Sequence, residues 1–332
     1  MKLAEVGEFG LIERIRRMFD EPSPSVILGI GDDAAVCRSQ PGRVMLLTTD
    51  ALVEGVHFHR PYTPAKSLGW KALAINISDI AAMGGVPRYA LVTLALPETW
   101  TVEDVESLYE GIDQCGMAYG CPLVGGDTVH SPNSCMLSVM VLGDADERKV
   151  VTRSGAREGD LICMTGEMGG ARVGLEVLES DTDKKRFRHS VDRFLEPKPR
   201  LWEAKRLVEG MSVTSMIDIS DGLSSEIGHL CRQSGLGCLI QEEKIPVSRE
   251  AVRWAESRGE ALTPYTLESG EEYELLFTVS KRQFEAWQDK GLDRNLELSV
   301  VGVMMPKSRG MLVQRKGKTY PISMKGWNHF GR

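Results

Sequence analysis

The chain has 332 residues, 42% of them hydrophobic and 26% charged, with a formal net charge of -7 and an isoelectric point near 5.6. That length sets a prior of about two domains, with ample apolar material for a core. The acidic balance argues against a polyanion-binding stripe, so no nucleic-acid partner is expected, while a local phosphate site stays open. No apolar run reaches the ~20 residues of a membrane span. The opening MKLAEVGEFGLIERIRRMF mixes acids with bases and has no signal-like apolar stretch, so no membrane partner and a cytoplasmic location are expected. The seven cysteines form no CxxC pair, which suits small buried hydrophobes better than a disulfide framework or a thiolate zinc site.

In chain order, GEFGLIERIRRMF carries Phe9, Leu11, Ile12, Ile15 and Phe19 near helical spacing, and the proline-containing EPSPS ends it. SVILGIG and RVMLLTTD read as strands. KSLGWKALAINISDIAAM reads as a long helix closed by Gly84 and Gly85, and RYALVTLALP as another strand. TVEDVESLYEGIDQCGMAYG reads as a helix with Thr101 as its cap and Glu103 and Asp104 near its positive end. CPLVGGDT and SCMLSVMVLG follow as a strand pair, then the polar connection KVVTRSGAREGD. Beyond it come strand DLICMTG, glycine-rich EMGGARVG, a helix to about Ser180 and the charged DTDKKRFRHS. SMIDISDG, helix SSEIGHLCRQSG, strands GCLIQE and ELLFTVS, and the end piece KGWNHFGR complete the order. Both halves mix strands with helices without a clean βαβ alternation. Two α/β or α+β domains are therefore expected, residues 1–145 and 146–332.

One pattern recurs along this order. Asp32 and Asp33 follow ILGIG, Asp50 ends VMLLTTD, Asp79 ends LAINISD, Asp127 ends CPLVGGD, and Asp218 and Asp221 sit in SMIDISD. Each lies at or just past an apolar segment, where a strand or helix delivers it to a rim. A single such aspartate is most simply a turn or cap residue. Carboxylates gathered at one place repel one another, and so need cations. Oxygen ligands with hydroxyl neighbours (Thr48, Thr49, Ser220) suit magnesium better than zinc or copper. The pattern leaves open whether these carboxylates meet or cap turns one by one. Magnesium with few protein ligands fills its shell with substrate phosphates. No P-loop is present to hold them: Gly317 to Thr319 reads GKT, but the nearest earlier glycine, Gly310, is too far away. The dinucleotide fingerprint GxGxxG is absent too, so any ATP site would be held by carboxylates and metal.

Taken together, GIGDDAAV, TTDALVEGVHF, LAINISDIAAMGG, LVGGDT, VTRSGA, MIDISDGL, SGEEYELLFT and KGWNHF resemble, in this order, the thiamine-monophosphate kinase family. That family belongs to the superfamily of aminoimidazole ribonucleotide synthetase and selenophosphate synthetase. The resemblance covers essentially the whole chain. It implies a two-domain aminoimidazole ribonucleotide synthetase-like α/β (mixed α+β) fold, whose N-terminal domain binds ATP and magnesium and pairs with its twin in a dimeric β-barrel. The C-terminal domain would cover the active site. The implied activity is ATP-dependent phosphorylation of thiamine monophosphate to thiamine diphosphate by a homodimer. By position, Asp33, Thr48, Thr49, Asp50, Asp79, Asp127, Asp218 and Asp221 match the family's magnesium ligands. Tyr109, Gly126, Asp127, Arg153 and Ser220 match its ATP contacts, and His57, Glu271 and Trp327 its thiamine-phosphate contacts. Relatives commonly carry SGGEDYEL where this chain has ESGEEYEL, so Ser269 and Glu272 put the aim of Glu271 in question. Asp32 receives no role.

The acceptor of this reaction is itself a phosphate with a second pKa of about 6, already a nucleophile near neutral pH. No side-chain base is expected. The obstacle is repulsion between two polyanions, roughly 4 kcal/mol per like-charge pair at ~4 Å and an effective dielectric of ~20. The aspartates would assemble the cations that remove it. Two other readings compete. One is another ATP-using synthetase of the superfamily, although GEFGLIERI lacks the reactive cysteine that selenophosphate synthetase needs. The other is a non-catalytic nucleotide- or thiamine-phosphate-binding sensor.

Overall fold

The computed structural model describes residues 3–18, 24–180, 182, 184–290 and 296–324. Helix α1 (Leu3–Met18) is interrupted at Gly7, whose φ of 68 breaks the helical path. Strands β1 (Val26–Leu28), β2 (Ala35–Arg38), β3 (Arg43–Val53), β4 (Val86–Leu96), β5 (Leu123–His130) and β6 (Met136–Asp146) form one sheet, ordered β1-β2-β3-β6-β4-β5. Its pairs are antiparallel except β4 with β5. Alternation sorts its two faces. Val92, Leu94, Leu137, Val139 and Val141 are buried, while Tyr89, Leu91, Met136 and Met140 stand exposed on the other side.

Helices α2 (Ala65–Ala82) and α3 (Val102–Tyr119) pack together beside the buried face. Their backbones touch: a Cβ on Gly69 would lie 1.9 Å from the Leu108 carbonyl oxygen, and one on Gly111 would lie 1.8 Å from that of Lys66. Glycine at both positions lets the helices approach this closely. At the start of α3, Thr101 Oγ1 accepts from the Asp104 amide and Asp104 Oδ2 from the Thr101 amide, both at 3.1 Å, so the expected cap is a full capping box.

The second sheet contains β7 (Leu161–Thr165), β8 (Val213–Asp218), β9 (Leu236–Gln241), β10 (Leu275–Val279), β11 (Leu298–Pro306), β12 (Met311–Arg315) and β13 (Lys318–Pro321), ordered β13-β12-β9-β11-β7-β10-β8. Only β12 with β9 is parallel. Around it lie α4 (Gly170–Leu178), α5 (Arg188–Leu195), α6 (Leu201–Gly210), α7 (Leu223–Ser234), α8 (Arg249–Arg258), α9 (Thr263–Leu267) and α10 (Lys281–Asp289). Ala81 and Ala82, at the end of α2, are buried in a cluster with Leu207, Met216 and Phe277 of the second half. Helix α2 therefore belongs to both cores.

The expected N-terminal β-barrel is not found. Among the described residues the first sheet ends at β1 and β5 and the second at β13 and β8, and neither pair of ends is bonded. A barrel requires cyclic pairing of its strands. Here β1 is a three-residue strand with a register shift against β2, and it ends the ladder. The two-sheet α+β organisation stands; the closure does not. Cys115, Cys121, Cys135, Cys163, Cys231 and Cys238 are buried free thiols, and Cys37 is half-buried. No described helix is long and apolar enough to cross a membrane.

Candidate active site

Both halves supply the carboxylates. On β3, Thr48 and Asp50 alternate onto the side facing α2. Thr48 Oγ1 donates to Asp79 Oδ2 at 2.5 Å, and the Asp50 amide donates to Asn76 Oδ1 at 3.0 Å. Asp218 ends β8, and Ser78 Oγ of α2 donates to its Oδ2 at 2.6 Å. The turn after Gly31 brings in Asp33. Ligand oxygens of Asp33, Asp79 and Asp218 all lie within 4.8 Å of one another. Three of the recurring aspartates thus converge from separate places in the chain.

Such proximity is costly for ionised groups. Burial, reinforced by the Asp33 charge, pushes Asp218 up to about 7 and Asp50 up to about 6. Asp79 is driven well above the ordinary carboxylate range by burial and then by the charges of Asp50, Asp218 and Asp33. Burial also raises Asp33, against the opposing charge of Arg153. The Asp33 Oδ2 atom is buried and has no hydrogen-bond partner among the described residues. An all-oxygen set with an orphaned acceptor and mutually repelling charges fits a hard divalent cation such as magnesium.

Asp32 has a distinct place. Its Oδ2 accepts from the Arg153 amide at 3.1 Å and its Oδ1 from the Asp33 amide at 3.0 Å. It therefore ties the Asp33 turn to the chain crossing into the second half. Burial and the neighbouring Asp33 charge push Asp32 up to about 7. Arg153 Nε donates to Asp33 Oδ1 at 3.0 Å, and its Nη2 contacts the same oxygen.

The remaining expected residues are distributed as follows. Thr49 faces the opposite side of β3, where its Oγ1 donates to the Val139 carbonyl at 3.1 Å, so its hydroxyl does not join the carboxylates. Asp127 is exposed on β5, apart from the clustered trio. Next to it, a Cβ on Gly126 would lie 2.0 Å from the Val92 carbonyl oxygen, so glycine is required where β4 and β5 pair. Asp221 and Ser220 are half-buried just after β8, and the Ser220 carbonyl accepts from the Glu271 amide at 2.6 Å. Tyr109 packs partly buried against the first core. His57 Nδ1 accepts from the Val53 amide at 3.0 Å, which leaves the ring proton on Nε2 in the neutral form. Trp327 and the KGWNHF motif lie outside the described residues.

Glu271 has a φ of 58 and Tyr273 a φ of 52, so the ESGEEYEL segment is a tight, strained turn. Glu271 Oε1 lies 2.6 Å from Lys71 Nζ. The two departures from the common family segment are bonded to each other: Ser269 Oγ donates to Glu272 Oε1 at 2.6 Å. The other oxygen of Glu272 lies 2.7 Å from Arg193 Nε. Glu274 in turn receives Arg193 and Arg200 and the hydroxyl of Thr165 at 2.6 Å. Glu272 and Glu274 are thus anchors below the turn, while Glu271 points elsewhere.

Residue pattern alone did not single out Asn76, Ser78, Lys71 or Glu226. The first three are buried polar residues within an apolar helix, and that incongruity was the available signal. Glu226 is a buried carboxylate on α7 that accepts from the Asp221 amide at 3.0 Å. Burial, then the Asp221 charge, raises it well above the ordinary range.

Comparison with known proteins adds to this geometry. The AIR synthase related protein family matches in both parts, its N-terminal domain at residues 31–145 and its C-terminal domain at 157–313. Thiamine-monophosphate kinase of Bacillus subtilis is 33% identical over 98% of this chain and 100% of its own length. That of Aquifex aeolicus is 35% identical over 99% of this chain and 100% of its own. The chain belongs to the thiamine-monophosphate kinase family. A solved structure of AaThiL complexed with AMPPCP and TMP is 36% identical, covers 99% of both chains and aligns with a TM-score of 0.87. Family membership rests on identity along the whole chain, and the convergence of the carboxylates on distances.

Proposed function

We propose that the protein transfers the terminal phosphoryl group of ATP to thiamine monophosphate, yielding ADP and thiamine diphosphate. The observation that carries this reading is the convergence of Asp33, Asp79 and Asp218 within 4.8 Å, in a chain similar over its full length to thiamine-monophosphate kinases. The acceptor phosphate is the nucleophile: one of its oxygens forms the new P–O bond as the bond to ADP breaks. Its second pKa of about 6 makes a side-chain base unnecessary.

Asp33, Asp79 and Asp218, with Asp50 and Asp221 nearby, are the residues to hold magnesium, which when bound neutralises phosphate charge. Thr48, Ser78 and Asn76 fix those carboxylates and the β3 backbone in place. Asp127, Gly126, Tyr109, Ser220 and Arg153 are assigned to the nucleotide, the forked Arg153 guanidinium matching a phosphate. His57 offers Nε2–H as a hydrogen-bond donor to the acceptor phosphate. Glu271 and Trp327 are assigned to the thiamine rings, a carboxylate for the amino group and an aromatic face for the cation. Thr49 contributes through β3 and not through its hydroxyl.

In this reading residues 1–145 bind ATP and magnesium together with Arg153, Asp218, Ser220 and Asp221 of residues 146–332, which cover the site, in a cytoplasmic homodimer. Support for dimerisation comes from the exposed face carrying Tyr89, Leu91, Met136 and Met140. Sedimentation giving only a 36.7 kDa species at micromolar concentration would contradict the dimer. The decisive experiment for function is ADP release from ATP and magnesium, with and without thiamine monophosphate. Release that depends on the acceptor and forms thiamine diphosphate supports the kinase. Release independent of it favours another ATP-using synthetase, and binding without release a sensor.

A further inference from the structure

Lys71 is a buried ammonium to which the reaction, as described above, gives no task. It lies on α2 at 1% exposure, two turns before Asp79. Its Nζ is 3.8 Å from the centroid of the Phe194 ring and 2.6 Å from Glu271 Oε1. No described residue makes a well-formed hydrogen bond to it. An ammonium in such surroundings is tolerated only when paired, and among the described residues Glu271 is the carboxylate paired with it.

The partner is equally constrained. Glu271 sits at φ 58 in the turn anchored by the Ser269–Glu272–Arg193 contacts, with its amide bonded to the Ser220 carbonyl. Its side chain is 30% exposed, so the carboxylate is gripped at one oxygen while part of it stays accessible. Without that grip a partly exposed glutamate would sample several rotamers, and that freedom would be lost each time a ligand bound.

We propose that Lys71 is a positioning residue for acceptor recognition: its ammonium, seated on Phe194, holds the Glu271 carboxylate ready for an amino-bearing heterocyclic cation. This rests on the reading of Glu271 as a contact to the acceptor. It also gives the departures Ser269 and Glu272 a consequence. They brace the turn from beneath, while Lys71 sets the direction of the side chain above it. The pair links the second half's turn to the helix that carries Asp79, so acceptor recognition and the carboxylate cluster share one rigid element.

The test uses the full-length protein with Lys71→Met, Glu271→Gln and the double variant. The readouts are KM for thiamine monophosphate, KM for ATP, kcat and the unfolding midpoint. Lys71→Met should raise the acceptor KM about tenfold, with the ATP KM and kcat within about twofold of the parent. Glu271→Gln should raise the acceptor KM at least as much, and the double variant should be no worse than Glu271→Gln. If Lys71→Met does not fold, Phe194→Leu, which keeps both charges but removes the aromatic seat, should raise the acceptor KM about threefold. Equal losses for ATP and acceptor, or multiplying losses in the double variant, would reduce Lys71 to a structural residue. An effect of Glu271→Gln with silent Lys71→Met and Phe194→Leu overturns the positioning role alone. A silent Glu271→Gln removes the acceptor reading of Glu271 and the positioning role with it.

Discussion

Replacing Asp218 with asparagine should stabilise the metal-free protein while abolishing its turnover. The side chain is buried, and burial followed by the Asp33 charge raises its pKa to about 7 from 3.8. A folded-state pKa above the unfolded one means that the folded protein binds the proton more tightly. The stability Asp218 contributes is therefore full below about pH 4, falls as pH rises, and is lost above about pH 7. About three pKa units correspond to roughly 4 kcal/mol of cost to the folded state at pH 8. Asparagine removes that cost, and the bond from Ser78 Oγ, which holds the pKa down, is already contained in it. The gain at pH 8 is therefore roughly 4 kcal/mol at most.

The assay is denaturant unfolding in a chelator at pH 5 and pH 8, comparing parent and Asp218→Asn. At pH 5 the folded carboxyl is protonated but the unfolded one is already mostly ionised, so the advantage of the variant should shrink to about 2 kcal/mol. Added magnesium should then stabilise the parent strongly and the variant little, because a ligand that binds only the folded state adds stability by mass action. A variant no more stable than the parent at pH 8, or equally favoured at both pH values, would refute the crowded-carboxylate reasoning.

If the acceptor phosphate needs no side-chain base, as proposed, His57→Asn should weaken acceptor binding but leave the acidic limb of turnover in place, His57 Nδ1 being engaged by the Val53 amide. A flat profile with turnover lowered ~10²–10⁴-fold would make His57 the base after all. Gly126→Ala forces a Cβ toward the Val92 carbonyl, so it should cost about 1–3 kcal/mol in unfolding experiments and raise the ATP KM; unchanged stability would contradict the tight β4–β5 approach. Glu274→Gln takes the shared carboxylate from the half-buried Arg193 and Arg200 and leaves them only Glu272 and Glu203, and should cost about 2–3 kcal/mol by denaturant titration. A loss below about 1 kcal/mol would mean that the two arginines find other partners.

Much of the first half was legible because its elements are long. The helix containing LAINISD and the strands RVMLLTTD and RYALVTLALP bury one face over many residues, and the periodicity records it. Helices α5, α6, α8, α9 and α10 span at most ten residues each, which leaves a weak period, and unlike the nine-residue α4 they were not read. Strands β11, β12 and β13 were missed as well. Gly302 and Pro306 interrupt the pattern of β11, and β13 is a fully exposed edge. Barrel closure entered through family resemblance, and no local pattern could have tested it. Which strand ends meet is a property of pairing between distant segments.

The site divides along the same line. That aspartates recur at the ends of apolar runs is a one-dimensional fact. That Asp33, Asp79 and Asp218 meet while Asp127 stands apart depends on contacts such as Ser78 with Asp218, separated by 140 positions. Strand alternation could have divided Thr48 and Asp50 from Thr49 in advance, because adjacent side chains of one strand cannot share a face. The adjacent Asp32 and Asp33 required the structure. Both side chains are buried, yet they accept from different partners: Asp32 from the backbone amides of Asp33 and Arg153, and Asp33 from the Arg153 guanidinium, with one oxygen left over. Asp32 gives both its oxygens to backbone amides, so the oxygen left for a cation comes from Asp33. Two adjacent ones divide the work, one fixing the backbone and the other facing the cluster.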